Sequence, residues 1–465
     1  MLYVVSLVIR STAQYCSAYW QYGIGVVNLV LFTADRDIKP TCLQMQTLAP
    51  VSSRDREVFM DVLRGFSILG IFIANLHSLS WYNFTDPAAT GSMLLPGTDR
   101  KVLFLHHMFI EGKFYSIFSF LFGWGMIMQL KGADAKGVHG KPIIRRRLFF
   151  MLLLGAMHLM FWPGDIVFFY ALLGFILLPL TRLHEKKMLI TGVVLLLSPI
   201  LLYWLKMHYP LFNMPAQQMY AWGEKVDKIT IGVDSDESFR AFIKSAGWPE
   251  LFKAATGGFF YRYGDLFMQS RIPKVLGMML IGAAVGKSGF YRNLEANRKS
   301  LYIIIAAGLL VGLPANYILA HYMDLNDGSY YKFQMNGFYR TLAYALGVAP
   351  LAAVYIATFM LLFRRDAWRK KMLLLAPVGR MAFSNYISHT LIGNFIFFNA
   401  GLGYMGTVGP LCYTLLALVV FMLQIIASTI WLKYFNYGPL EWIWRSATYK
   451  KRQPFIKDHR TEKSG

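Results

Sequence analysis

His158 and Asp165 stand seven residues apart in "HLMFWPGDIVFFY", a stretch that is otherwise almost wholly apolar. The Pro-Gly pair between them marks a tight turn, so an imidazole on one segment and a carboxylate on the next can meet. A carboxylate beside an imidazole favours the protonated ring and fixes its tautomer. Such a pair can relay protons, or draw a proton from a hydroxyl or thiol during acyl transfer. His106 and His107 are a second candidate for the same work. On a helix His107 shares a face with Glu111, and His106 shares one with Lys113.

A second group of residues suits anions and polar substrates. Arg64 and Asn75 are 11 residues apart, almost three helical turns, which puts them on one face ~16 Å apart along the axis. Ser67 and Ser78 lie beside them. Arg147 and His158 repeat the separation of 11. In "GRMAFSNYISH", Arg380, Ser384 and Ser388 follow one stripe, and Asn385 and His389 follow another. Guanidinium groups match phosphate geometry, and an amide can orient a substrate or donate to an oxyanion. Arg64, Asn75, Lys113, Arg147, Arg380, Asn385 and His389 are therefore the candidate binding residues. Plainer roles compete: arginines near helix ends can snorkel to headgroups, and histidines can serve as hydrogen bonds between helices. Cys16, Cys42 and Cys412 are scattered and make neither a metal spacing nor a disulfide framework.

The elements that must position these residues are membrane spans. The chain has 465 residues, of which 56% are hydrophobic and 15% charged, where a soluble protein has roughly 25% charged residues. About ten apolar stretches approach the ~20 residues needed to cross a bilayer, near 60–82, 102–130, 143–161, 165–181, 188–206, 272–286, 300–321, 338–363, 373–398 and 408–432. Backbone polar groups in hydrocarbon must be paired within their own segment, so the spans are helices. The expected fold is all-α, a polytopic membrane helix bundle of about ten transmembrane helices. It forms a single bundle over 45–447, with one long external loop at 207–271 and a basic tail at 448–465.

The net charge of +22 is not a nucleic-acid footprint, because the basic residues lie in short loops between spans. One alternate set of short connections, with the tail, holds 27 Lys and Arg; the other set holds 3. The positive-inside rule makes the rich set, and the C-terminus, cytoplasmic. The long loop falls on the outer side. Arg64, Arg147 and Arg380 then lie towards the cytoplasmic ends of their spans, with His77, His106, His107, His158 and Asp165 towards the outer face. Residues 1–44 read as a doubtful extension: their apolar runs are short, and the polar lead after Met45 suits a cytoplasmic start.

"DVLRGFSILGIFIAN", "EGKFYSIFSFLFGWG", "HLMFWPGDIVFFYALLG", "GMMLIGAAVGKSGF", "GRMAFSNYISHTLI" and "GPLEWIWR" together resemble the YeiB family of bacterial inner-membrane proteins, which end in a domain of unknown function. The resemblance runs from about residue 55 to 447. One departure is His389, where the family pattern implies glutamine. The opening "D..RG" element is also similar to that of heparan-α-glucosaminide N-acetyltransferase and, more remotely, of the acyltransferase-3 membrane enzymes. That likeness implies transfer of an acyl group from a cytoplasmic donor such as acyl-CoA to a small-molecule, glycan or lipid acceptor at the outer face. The alternative implied by the family is a transporter that uses the same polar interior, with Asp165, His158 and Glu111 coupling protons. A transporter predicts helices broken inside the membrane and an internal repeat; the sequence halves show no clear repeat.

Overall fold

The computed structural model describes residues 53–85, 93, 95–325 and 328–457. The segment 1–44 lies outside the described residues. Within them the chain is helical between short loops, and one antiparallel bridge, Phe435 to Ile456, is the extent of β pairing. Among the described residues five helices are long and apolar enough to cross a membrane: Val58–Leu79, Glu185–His208, Arg298–Asp324, Met335–Leu362 and Pro410–Tyr434. Their outward faces carry apolar side chains, among them Leu310 at 78% exposure and Ile190 at 63%. Such faces fit lipid as the surrounding solvent. The fold is thus the all-α membrane bundle that hydropathy implies.

In chain order the first helices are α1 (Ser53–Leu79), α2 (Pro96–Phe109), α3 (Lys113–Asp134), α4 (Gly140–Leu159), α5 (Val167–Leu180) and α6 (Glu185–His208). There follow α7 (Met214–Thr230), α8 (Asp236–Ser245), α9 (Trp248–Met268), α10 (Arg271–Ser288), α11 (Arg298–Asp324) and α12 (Met335–Leu362). Last come α13 (Asp366–Met372), α14 (Ala376–Arg380), α15 (Ala382–Phe397), α16 (Pro410–Tyr434) and α17 (Pro439–Tyr449).

Two apolar stretches are not continuous helices. The stretch 102–130 breaks between α2 and α3 at Gly112, whose φ of 83° suits glycine. A Cβ there would sit 2.6 Å from the Tyr344 hydroxyl. The stretch 373–398 breaks at Met381. Its second half, α15, begins with backbone N–H groups that no residue of its own turn can satisfy. Glu441 of α17 supplies the acceptor: its carboxylate takes hydrogen bonds from the amides of Phe383 (2.7 Å) and Ser384 (3.0 Å) and from the Ser384 hydroxyl (2.5 Å).

Residues 207–271 fold into α7, α8 and α9 rather than an open loop. Phe259 and Tyr263 of α9 pack on Phe168, and Gly258 lies against Pro163. This segment therefore seats on the turn between α4 and α5. In the core, α3 and α10 cross at backbone contact. A Cβ on Gly123 would lie 1.8 Å from the Met279 carbonyl, and one on Gly282 would lie 1.9 Å from the Phe120 carbonyl. Small residues permit this approach, as the "GMMLIGAAVG" pattern suggests.

Candidate functional site

His158 ends α4 and Asp165 precedes α5, and the "WPGD" turn folds the carboxylate back onto the ring. His158 Nδ1 is 2.7 Å from Asp165 Oδ2, and both side chains are almost wholly buried. The second oxygen, Asp165 Oδ1, accepts from the Phe168 amide at 2.7 Å, so the carboxylate also caps the first turn of α5. In the neutral ring with Nδ1–H donated to Asp165, Nε2 is an acceptor. It faces the Thr390 hydroxyl of α15 at 2.9 Å. Among the described residues the Thr390 hydroxyl has no other hydrogen-bond partner, so towards a neutral imidazole it is the donor. Tyr386, one turn earlier on α15, crosses the His158 ring edge-on at 5.3 Å and accepts from the Ile166 amide. The result is a buried acid–imidazole–hydroxyl chain spanning three elements.

The other histidines are held differently. His106 Nε2 is 3.0 Å from the Thr414 hydroxyl, but that hydroxyl already donates to the Pro410 carbonyl at 2.5 Å. His106 is thereby the donor. His107 lies edge-on to His77, with ring centres 6.4 Å apart, and its carbonyl accepts from Lys113 Nζ at 2.7 Å. His77 bonds the Tyr413 hydroxyl at 3.2 Å. His389 stacks on Phe72 at 3.8 Å and donates from Nε2 to the Gln424 carbonyl oxygen at 2.9 Å, leaving Nδ1 buried without a partner. Asn385 of the same polar layer donates to Ser428 and to the Val378 carbonyl. Among the described residues the Nδ2 of Asn75 is buried with no hydrogen-bond partner.

The three arginines occupy the opposite end of the bundle. Arg64 pairs with Asp61 at 2.8 Å. The Arg147 guanidinium lies 4.2 Å above the Trp444 ring, within electrostatic range of Arg64 and Arg445. Gly379 packs on the Asp61 carbonyl, so Arg380 leaves from the same level as Arg64, but its side chain reaches towards the Asn436 carbonyl. Arg64 and Arg147 are thus brought together, with Arg380 turned away from them.

Several polar residues of this interior went unselected in the sequence. Thr390 lies one residue beyond the polar stripes of α15 and on neither of them. Arg262 and Arg271 sit in a segment that reads as a loop, and Lys274 and Arg340 sit near span ends, where snorkelling is the ordinary explanation. Folded, they converge. Arg271 stacks 5.0 Å from the Tyr115 ring and faces Glu111 at 3.5 Å. Lys274 Nζ lies 3.8 Å from the Tyr344 ring. Arg262 stands within electrostatic range of both Arg271 and Asp165, so it links this centre to the His158 chain.

Known proteins bear on this arrangement. Residues 285–451 match the family model described as "Protein of unknown function (DUF418)". The chain is 32% identical to "Uncharacterized protein YxaH" of Bacillus subtilis (strain 168), over 89% of this chain and 99% of the relative. It is 30% identical to "Uncharacterized protein YeiB" of Escherichia coli (strain K12), over 86% of this chain and 98% of the relative. No solved structure matches. Alignment over nearly the whole of each relative, together with an all-α bundle of apolar helices, leads to one conclusion: the chain belongs to the YeiB family and is a membrane protein.

Proposed function

We propose that this protein is a membrane-bound acyltransferase in which His158, held by Asp165, activates the Thr390 hydroxyl. The observation that carries the reading is the unbroken chain Asp165 to His158 to Thr390, in which a neutral imidazole bonded through Nδ1–H to Asp165 presents Nε2 to the hydroxyl. In the reaction, Thr390 Oγ forms a bond to the carbonyl carbon of a thioester donor such as acyl-CoA. His158 Nε2 takes the hydroxyl proton, the C–S bond breaks, and the proton passes to the departing thiolate. An acceptor hydroxyl or amine at the outer face then takes the acyl group from Thr390, again with His158 as base. Asp165 steadies the imidazolium. Arg64 and Arg147 are suited to hold the donor's phosphates near the cytoplasmic end, about three helical turns (~16 Å) below His158. The cytoplasmic placement of that end, the bacterial inner membrane as location, and an outward-facing 207–271 segment are parts of the same proposal.

The test uses purified full-length protein and labelled acetyl-CoA. Wild type should release free CoA and retain label on the protein in the absence of acceptor. Thr390→Val and His158→Gln should lose at least 100-fold, the ordinary scale for removing a nucleophile or its base, while Thr390→Ser keeps part of the activity. Wild-type turnover by Thr390→Val would remove Thr390 from the mechanism.

The breaks at Gly112 and Met381 give the transport reading its specific support, since helices interrupted within the bundle are a transporter device. A protein that turns over no acyl-CoA but moves a solute across proteoliposomes would put that reading first.

A further inference from the structure

We infer that the centre formed by Arg262, Arg271, Lys274 and Arg340 is a binding site for a phosphate-bearing anion, a function that does not depend on the acyl-transfer reading. Two of these cations are fixed over aromatic faces that meet each other. Lys274 lies over Tyr344 and Arg271 over Tyr115, and the two tyrosine hydroxyls are hydrogen-bonded to one another. Arg340 stacks 4.6 Å from Tyr330. Lys274 is within electrostatic range of both Arg271 and Arg340, and Arg262 is within range of Arg271. The four belong to α9, α10 and α12, so the fold itself assembles them.

Their charges are not balanced. Glu111 faces Arg271 at 3.5 Å, too long for a tight pair, and Asp265 is engaged by the Tyr220 hydroxyl at 2.8 Å. Among the described residues no carboxylate pairs with Arg262, Lys274 or Arg340. Among the described residues the Nε of Arg262 is buried with no hydrogen-bond partner. Aromatic faces attract cations but contribute no net negative charge. Several cations gathered in a low-dielectric interior are favourable only when an anion joins them. Lys206 is also within range of Lys274, and Asp165 is within range of Arg262; five cations against three carboxylates leave an excess of two, which matches a phosphate dianion better than a single carboxylate. Guanidinium forks and an ammonium are the donors that phosphate oxygens take. The break before α3 adds the positive end of a helix at the level of Glu111 and Tyr115.

A soluble phosphate compound and a lipid headgroup share this chemistry, and the experiment separates them. Full-length protein in neutral detergent is heated with rising inorganic phosphate, against chloride at equal ionic strength. In parallel it is heated in phosphatidylcholine nanodiscs with and without phosphatidylglycerol. A saturable rise of about 2–5 °C is expected for a bound ligand of this kind. A rise with inorganic phosphate assigns a soluble source; a rise confined to phosphatidylglycerol assigns a headgroup. Lys274→Met and Arg262→Gln should each lose the response while the unliganded protein melts no lower, because a repulsive charge has been removed. No rise in either arm, or an undiminished rise in both variants, overturns the site. Because no acyl donor is present, the outcome is separate from the test of Thr390.

Discussion

Among the histidines, what distinguishes one from another is where the neighbouring hydroxyl sends its proton. Thr414 gives its proton to a carbonyl, and Gln424 offers His389 a carbonyl oxygen, whereas Thr390 aims at His158. The His158–Asp165 contact was legible in the sequence because a turn of known chemistry joins the two residues. The Thr390 contact was not, since nothing in the sequence ties a threonine 232 positions away to that turn. A residue-scale prediction concerns Asp227, in the segment between α6 and α10. Its carboxylate is 3% exposed and packs against Gly257, and burial pushes its pKa from 3.8 to about 6, partly offset by a hydrogen bond from Tyr261. The folded state therefore keeps a proton that the unfolded chain has released. This contribution to stability is fully present below pH 3.8 and is lost as pH rises through about 6. Asp227→Asn should gain on wild type over that window, by on the order of 1–3 kcal/mol at pH 7. Parallel melting profiles for the two proteins between pH 4 and pH 7 would contradict this.

At the scale of elements, apolar length revealed the helices but not their interruptions. Gly112 and Met381 lie in stretches hydrophobic enough to read as continuous, and what stabilises each break comes from elsewhere in the chain. Glu441 reaches the start of α15 from 57 and 58 residues away. Burial pushes its carboxyl up, and the hydrogen bonds from Ser384 and Phe383 pull it back down. Glu441→Ala should leave two amides and a hydroxyl without their acceptor, at a cost of about 2–3 kcal/mol; Glu441→Gln, which keeps one acceptor oxygen, should cost about half as much. Heat challenge followed by size-exclusion recovery measures the order. Equal recovery for Glu441→Ala and wild type would show that the cap is dispensable. The α3–α10 crossing makes a second, harsher prediction. Gly282→Ala places a methyl against the Phe120 carbonyl, backbone on backbone, with no flexible side chain to yield. It should lower recovery further than Gly132→Ala on α3, where a Cβ meets nothing within 4 Å.

At the scale of the whole molecule, orientation decides how the parts can work together. The arginines and the histidines occupy opposite ends of the bundle, so a donor and an acceptor, or two sides of a transport pathway, are separated by most of its thickness. The proposed cytoplasmic end rests on charge: one alternate set of short connections, with the tail, holds 27 Lys and Arg and the other holds 3, and the positive-inside rule turns the rich set inwards. The basic residues of 207–271 do not weigh against this, because a long folded segment translocates largely regardless of charge. Its helices also close over the α4–α5 turn beside His158, which would place that folded segment over the outer mouth. The prediction is that fusions after Lys450 and within 131–147 report cytoplasmic exposure, while a fusion within 231–235, between α7 and α8, reports the outer side. Paired reporters, one active only in the cytoplasm and one only outside it, measure each position independently. An outside signal after Lys450 with a cytoplasmic signal at 231–235 would invert the bundle. Arg64 and Arg147 would then face outwards and His158 inwards. The donor-to-acceptor direction of the proposed transfer would fail with it, while the phosphate site at Lys274, which needs only its cations, would stand.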